Sequence, residues 1–141
     1  MAVLITKLNR WANAHTNLFT DGLRILFGIF IFYKGIMFLD QTDYLYKMFI
    51  TVSGKGAYFV LVHYVAMAHF CGGLLIILGL LTRWATLVQL PILVGAVTVN
   101  FIGAMHTMNL VQAVISFFIC AFFLFYGSGK HSLDKKFRLH T

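Results

Sequence analysis

The side chains best able to do chemistry in this sequence are polar groups set inside long apolar stretches, and His69 lies deepest among them. It sits near the middle of the apolar stretch 57–80, on the same helical face as Gly72 and Gly73. Inside a membrane-spanning helix an ionisable side chain at that depth is costly, so its presence needs a reason. Two interpretations stay open: a neutral histidine hydrogen-bonded to a neighbouring helix, or a group that binds a ligand or moves a proton.

Three more polar side chains, Asn100, Gln112 and Ser116, lie in the predicted outer halves of two later apolar stretches. Gln112 and Ser116 share one helical face, which favours a polar seam that points into a helix bundle. Together with His69 they form a candidate buried polar site, a pocket that opens outward. The alternative is that these amides and hydroxyls only join the helices to one another.

Two histidines nearer the ends of their stretches are weaker candidates for metal or haem ligands. His63 lies about 120° around the helix from His69, so these two side chains cannot hold one ion. His63 paired with His106, with Met67 and Met105 nearby, is a pattern that can hold a haem or a copper ion. Histidines are common at membrane surfaces, and the sequence therefore predicts no resident metal.

Charged residues near the other end of the stretches are candidates for a structural role. Arg24 follows Asp21 by about one helical turn, which allows a salt-bridged arginine that snorkels to the surface. Arg24 also shares a stripe with Gly28, which favours an inward direction, toward Gln89 or the turn at Arg83. Asp21, Arg24 and Arg83 are thus the predicted structural residues of the inner face.

Lys34 lies off that glycine stripe and near the outer end of the first apolar stretch. Its long stem favours snorkelling toward Asp40 over a functional role.

Cysteine and charge usage exclude two classes of function. Cys71 and Cys120 stand singly inside apolar runs, without the Cys-x-x-Cys spacing of thiol–disulfide oxidoreductases. The net charge is +7, but the basic residues flank apolar stretches, where positive charge sets membrane orientation rather than binding nucleic acid.

The elements that must position these residues are membrane-spanning helices. The chain has 141 residues, of which 60% are hydrophobic and 11% charged, against about a quarter charged in soluble domains. Four stretches approach the roughly 20 apolar residues that cross a bilayer. They lie near 21–39, 57–80, 84–105 and 109–127.

Short junctions between these stretches require antiparallel neighbours, so the predicted fold is all-α: an up-down bundle of four transmembrane helices. The whole chain, 1–141, is predicted to form one domain. The segment 1–16 has apolar residues on one helical face and is predicted to lie as an interfacial helix on the membrane surface. The connector 40–56 repeats that pattern and is predicted to cap the bundle from outside.

Lysine and arginine lie mostly on one side of the predicted bundle. Seven flank the N-terminal segment, the Arg83 turn and the C-terminal segment, whereas Lys47 and Lys55 lie on the other side. The positive-inside rule then places both ends of the chain in the cytoplasm.

Three segments resemble the DoxX family of small bacterial membrane proteins. They are the opening Gly22–Arg24 with Gly28 and Gly35, the run Gly72–Arg83 (GGLLIILGLLTR) and the ending Gly127–Asp134 (GSGKHSLD). The resemblance covers nearly the whole chain. It implies a four-helix fold and a location in the bacterial cytoplasmic membrane. Some members of the family resemble subunits of quinone-linked sulfur oxidation or of oxidative-stress membrane complexes, and many have no known activity.

The chain departs from the family pattern in its interior. Many members carry a glutamate at the position of His69, a histidine near that of Asn100 and a glutamate near that of Gln112. The acidic interior of the family is here replaced by neutral or weakly basic groups.

These observations lead to three hypotheses of function. The first is an accessory integral-membrane subunit of a larger respiratory or redox complex, not catalytic on its own, because the sequence has no nucleotide motif and no acidic catalytic pair. The second is a small redox or quinone-binding protein that uses the pocket around His69, with quinone or haem as possible cofactor. The third is a transporter, which needs a homo-oligomer because four helices hardly enclose a path.

Overall fold

The computed structural model describes residues 18–40, 42–102, 107–128 and 132–136. The predicted interfacial helix 1–16 lies outside these residues. The described part is helical, and its helices are α1 (Leu18–Asp40), α2 (Thr42–Leu78), α3 (Thr82–Ile102), α4 (Thr107–Tyr126) and the short α5 (Leu133–Lys136).

Four helical stretches are long and apolar enough to cross a membrane, which confirms the predicted fold class. Their mean hydropathy lies between 1.3 and 2.2. They are Leu18–Asp40, Tyr58–Leu78, Thr82–Asn100 and Thr107–Tyr126. The bounds agree with the predicted spans to within a few residues, because each span begins and ends where the apolar run does.

Helix α2 extends well beyond its membrane-spanning part and is not straight. The ring centroids of Tyr46 and Tyr58 lie 5.1 Å apart, whereas a straight helix would separate these residues by about 18 Å. The helix therefore bends between them, in a stretch that contains Ser53, Gly54 and Gly56, residue types at which helices often bend. Residues 42–57 thus form a segment with its own direction before the second span begins.

Glycines bring α1 and α2 into backbone contact. A Cβ atom on Gly28 would lie 2.8 Å from the backbone nitrogen of Ile77 and 2.9 Å from the carbonyl oxygen of Gly73. A Cβ atom on Gly35 would lie 2.8 Å from the Cβ of His69. The two helices run antiparallel, and small residues let them approach without the hydrophobic effect that drives packing in water.

Longer side chains close the bundle between α1 and α4. The hydroxyl groups of Thr20 and Tyr126 lie 3.1 Å apart, and the rings of Phe27 and Phe123 stack at 6.4 Å. Between α3 and α4, the Cys120 thiol donates a hydrogen bond to a backbone carbonyl. The apolar core of the bundle comprises Phe27, Ile31, Ile76, Ala85, Leu93, Cys120, Phe123 and Tyr126.

Candidate functional site

Arg24 points into the bundle at the end where α2 turns into α3. Arg24 is 2% exposed. Its Nη1 donates hydrogen bonds to the Asp21 carboxylate, at 3.3 Å, and to the carbonyl of Ser128. The guanidinium lies against Gly79, where a Cβ atom would come within 2.9 Å of Cζ. Gly79 also has a φ of +64°, so the position requires glycine for both space and conformation.

The turn after Gly79 is held by Asp134, which lies beyond α4. The Asp134 carboxylate accepts a hydrogen bond from the Leu81 amide at 2.8 Å, and the Asp134 amide donates to the Gly79 carbonyl at 3.1 Å. Leu81 has a φ of 49°, which a leucine rarely adopts. The paired hydrogen bonds stabilise that turn against its backbone strain.

Arg83 joins this arrangement from the first turn of α3. Its Nη2 donates to the carbonyl of Phe125 at 3.2 Å. The guanidinium also packs against Gly127, which ends α4 with a φ of +81° and an amide bonded to the Phe123 carbonyl. We call Asp21, Arg24, Gly79, Arg83 and Asp134 the Gly79 cluster. It ties both helix hairpins and the segment after α4 together at one end of the bundle.

A polar stripe continues from the Gly79 cluster along the buried face of α3. Thr82, Thr86 and Gln89 are all fully buried, and the Thr86 carbonyl accepts the Cys120 thiol at 3.2 Å. Gln89 packs beside Gly72 of α2. Sequence reasoning noted Gln89 but missed the two threonines, although the i, i+4, i+7 spacing of the three marks one helical face.

His69 lies against α1, about one helical turn along α2 from Gly72, which faces Gln89. It is 7% exposed, stacks on Phe38 with ring centroids 6.4 Å apart and touches the Gly35 position. Its Nδ1 lies 2.9 Å from the carbonyl oxygen of Val65. Because a carbonyl only accepts, Nδ1 carries the proton, and Nε2 of the neutral ring is left as an acceptor.

The other three members of the predicted pocket find different neighbours. The Asn100 amide donates to the Ala96 carbonyl of its own helix at 2.8 Å, and Ser116 is buried on α4. The Gln112 amide oxygen accepts a hydrogen bond from Lys34 at 2.6 Å. Among the described residues, no hydrogen bond joins His69 to any of these three. The outward-opening pocket remains a prediction.

The prediction that Lys34 snorkels toward Asp40 was wrong. Lys34 turns sideways to Gln112 of α4 and lies over the Phe30 ring, with Nζ 5.6 Å from its centroid. The reason is distance: Asp40 lies about 9 Å further along the same helix and on a different face, whereas Gln112 offers an oxygen at the same depth.

Of the two histidines predicted as weak metal candidates, the structure describes His63 alone. His63 is exposed and packs against Phe59 with the ring centroids 4.0 Å apart and the ring planes tilted by 38°, and its Nδ1 lies 2.9 Å from the Phe59 carbonyl oxygen. His106 lies outside the described residues. Among those described, no group of three histidine, cysteine or acidic side chains is placed to hold a metal ion.

One of the comparisons with known proteins, the scan against family profiles, gave a match. No curated protein and no solved structure gave a significant match to the chain. The sequence profile of the DoxX family matches residues 19–107, which include nearly all of α1, the whole of α2 and α3, the α1–α2 glycine contacts, His69 and the turn from Gly79 to Arg83. The chain therefore belongs to the DoxX family.

Proposed function

We propose that this protein is an accessory integral-membrane subunit of a larger membrane-bound complex, of a respiratory or redox kind, and is not catalytic on its own. The observation that carries the proposal is the use made of its buried polar groups. Arg24 joins α1 to the segment after α4, Lys34 joins α1 to α4, and Asp134 holds the turn between α2 and α3. Polar groups that form hydrogen bonds between segments in this way hold the helices of a bundle together.

The outer surface of the bundle supports a subunit role. In each spanning stretch only 22–33% of the residues are buried within the chain, so most side chains are partly or fully exposed to lipid or to other subunits. Large apolar side chains such as Phe118 and Phe125 of α4 are more than half exposed. Side chains fill the core of the bundle. Transport, the third hypothesis, would therefore need a path between several copies of the chain.

Co-purification from native membranes in a mild detergent tests the subunit proposal. We expect the tagged protein, expressed at its natural level, to retain a fixed ratio of redox-enzyme subunits through a second purification step. A tagged membrane protein of similar size from the same cells is the control. Migration as a single chain or as a homo-oligomer, with no such subunits above the control, would contradict the proposal.

A small quinone-binding redox protein is the second candidate, and His69 is the observation that favours it. The Nδ1 bond to Val65 leaves Nε2 as an acceptor in a nearly buried ring beside Phe38. A quinol hydroxyl is a donor that suits such an acceptor, and an aromatic ring suits its headgroup. A haem held by His63 and His106 is less well supported, because His63 is exposed and its ring packs against Phe59 of its own helix.

We propose that the chain lies in the bacterial cytoplasmic membrane with both ends in the cytoplasm, as its lysine and arginine distribution favours. Single cysteines test this in a variant that lacks Cys71 and Cys120. Asp43 and Lys136 are exposed at opposite ends of the bundle. Asp43→Cys should react with an impermeant reagent in intact cells, and Lys136→Cys only after the membrane is opened. Reaction of both from the same side would contradict this topology.

A further inference from the structure

Lys34 and Gln112 meet inside the membrane-spanning part of the bundle. The Lys34 Nζ donates to the Gln112 Oε1 at 2.6 Å, and the lysine is half-buried. Lys34 lies about 9 Å from the end of α1 at Asp40, and Gln112 about 7.5 Å from the start of α4. Both distances therefore place the pair below the membrane surface at the Asp40 end of the bundle.

The aspartates of the chain do not pair with this ammonium group in the part of the chain that the structure describes. It contains 4 acidic residues in all. Asp21 and Asp134 belong to the Gly79 cluster at the opposite end, and Asp40 and Asp43 are exposed near the ends of their helices. Among the described residues, none of these carboxylates lies within 4 Å of Lys34. A charge held within a membrane is costly unless an opposite charge compensates it.

Lys34 and Gln112 together present hydrogen-bond donors and little acceptor capacity. An ammonium has three N–H donors, of which one is given to Gln112. With its oxygen occupied by Lys34, the Gln112 side chain has its NH₂ group left to donate. Two adjacent donor groups, one of them charged, suit the oxygen atoms of an anion such as a phosphate.

Apolar side chains on the same faces indicate where this anion comes from. Met37 lies one turn from Lys34, and Met108 and Ile115 lie one turn on either side of Gln112. All three are exposed, Met108 and Ile115 by more than half. The polar pair is thus flanked by apolar surface that faces acyl chains. A lipid bound here could place its headgroup at the polar pair and its tails against this surface.

We propose that Lys34 and Gln112 bind the phosphate of an anionic lipid in the leaflet at the Asp40 end of the bundle. Lys34 supplies the positive charge, and Gln112 fixes its ammonium group at the α1–α4 seam and adds a neutral donor. The bound lipid compensates the lysine charge and holds α1 and α4 together. This site does not depend on the accessory-subunit role or on the chemistry of His69.

Melting temperature in nanodiscs tests the proposal, with phosphatidylglycerol compared with phosphatidylcholine. The wild-type protein should melt several degrees higher in phosphatidylglycerol, and Lys34→Met should lose most of that difference. Lys34→Arg should keep the larger part of it because the charge remains. Lys136→Met, which removes an exposed lysine at the opposite end, is the matched control and should behave like wild type.

Two further arms make the outcome decisive. Loss of one charge-assisted hydrogen bond predicts roughly tenfold weaker phosphatidylglycerol binding by Lys34→Met in native mass spectrometry. If Lys34→Met does not fold, Gln112→Leu, which keeps the lysine, replaces it and should weaken binding in the same direction. Inorganic phosphate added in detergent separates a soluble anion from a lipid: a Lys34-dependent rise there alone would identify the anion as soluble. Equal responses of wild type and these variants in every arm would overturn the proposal.

Discussion

Replacing Arg24 with leucine is expected to lower the free energy of unfolding of the purified protein by about 3 kcal/mol or more, as breaking a buried ion pair does. The variant removes the contacts with the Asp21 carboxylate and with the Ser128 carbonyl. It leaves the Asp21 carboxylate in a buried position without its arginine. Loss of the Ser128 contact also loosens the segment whose Asp134 holds the α2–α3 turn.

Thermal unfolding in detergent, monitored by tryptophan fluorescence or helical circular dichroism, measures this effect. Lys136→Leu removes one positive charge from an exposed side chain at the same end of the bundle and is expected to change stability little. Equal melting of Arg24→Leu and wild type would show that Arg24 is dispensable for the fold. The Gly79 cluster would then lose its assigned role.

Replacing Gly28 with valine is expected to separate α1 from α2 and to destabilise the bundle by several kcal/mol. A Cβ atom there would lie 2.7 Å from a side-chain carbon of Ile77 and within 2.9 Å of two backbone atoms of α2. Backbone cannot yield as a flexible side chain can, and overpacking of this kind typically costs about 1–3 kcal/mol or more. The helices must therefore move apart along the whole contact.

Gly95→Val is the matched control for this variant. Gly95 is also a glycine inside a spanning helix, but a Cβ atom on it would meet nothing within 4 Å. We expect Gly95→Val to melt near the wild-type temperature and Gly28→Val to melt far below it or to aggregate. Similar behaviour of the two variants would contradict the glycine-mediated packing of α1 against α2.

The architecture could be predicted from the sequence because its causes are local. A span needs about 20 apolar residues, and a short connection fixes the direction of the next helix, so hydropathy and junction length determine the bundle. The glycine stripe of α1 followed from helical spacing. The bend within α2 was not predicted. The sequence predicted a separate connector at 40–56, because helix propensity does not indicate where a long helix changes direction.

Polar contacts between distant helices could not be predicted in the same way. Lys34 was assigned to Asp40 because the two are close in sequence, whereas its partner Gln112 lies 78 residues away. Asn100 was assigned to the interior, and its amide bonds to its own backbone. Helical spacing identifies the face on which a side chain lies, but the rotation of each helix within the bundle decides what that face meets.

The same limit explains what was found and missed near the α2–α3 turn. The Gly79–Arg83 run and the ending through Asp134 were each recognised as family segments. Their mutual contact joins residues 53 positions apart and depends on how α4 returns to the turn. The sequence pattern contains both partners but does not state that they meet.

We infer that the interior polar groups hold the bundle together rather than do chemistry, and a substitution of His69 tests this inference. His69→Gln keeps a hydrogen-bond donor that can reach the Val65 carbonyl but removes the titratable ring nitrogen, since an amide does not change charge near neutral pH. His63→Gln, at an exposed position on the same helix, is the matched control.

Assembly and turnover of the complex that contains the protein should be measured together for wild type, His69→Gln and His63→Gln. We expect all three proteins to assemble and His69→Gln to retain wild-type turnover. A correctly assembled His69→Gln complex whose turnover falls tenfold or more, as loss of a general base or proton donor does, would contradict this inference and would favour the quinone-binding site at His69.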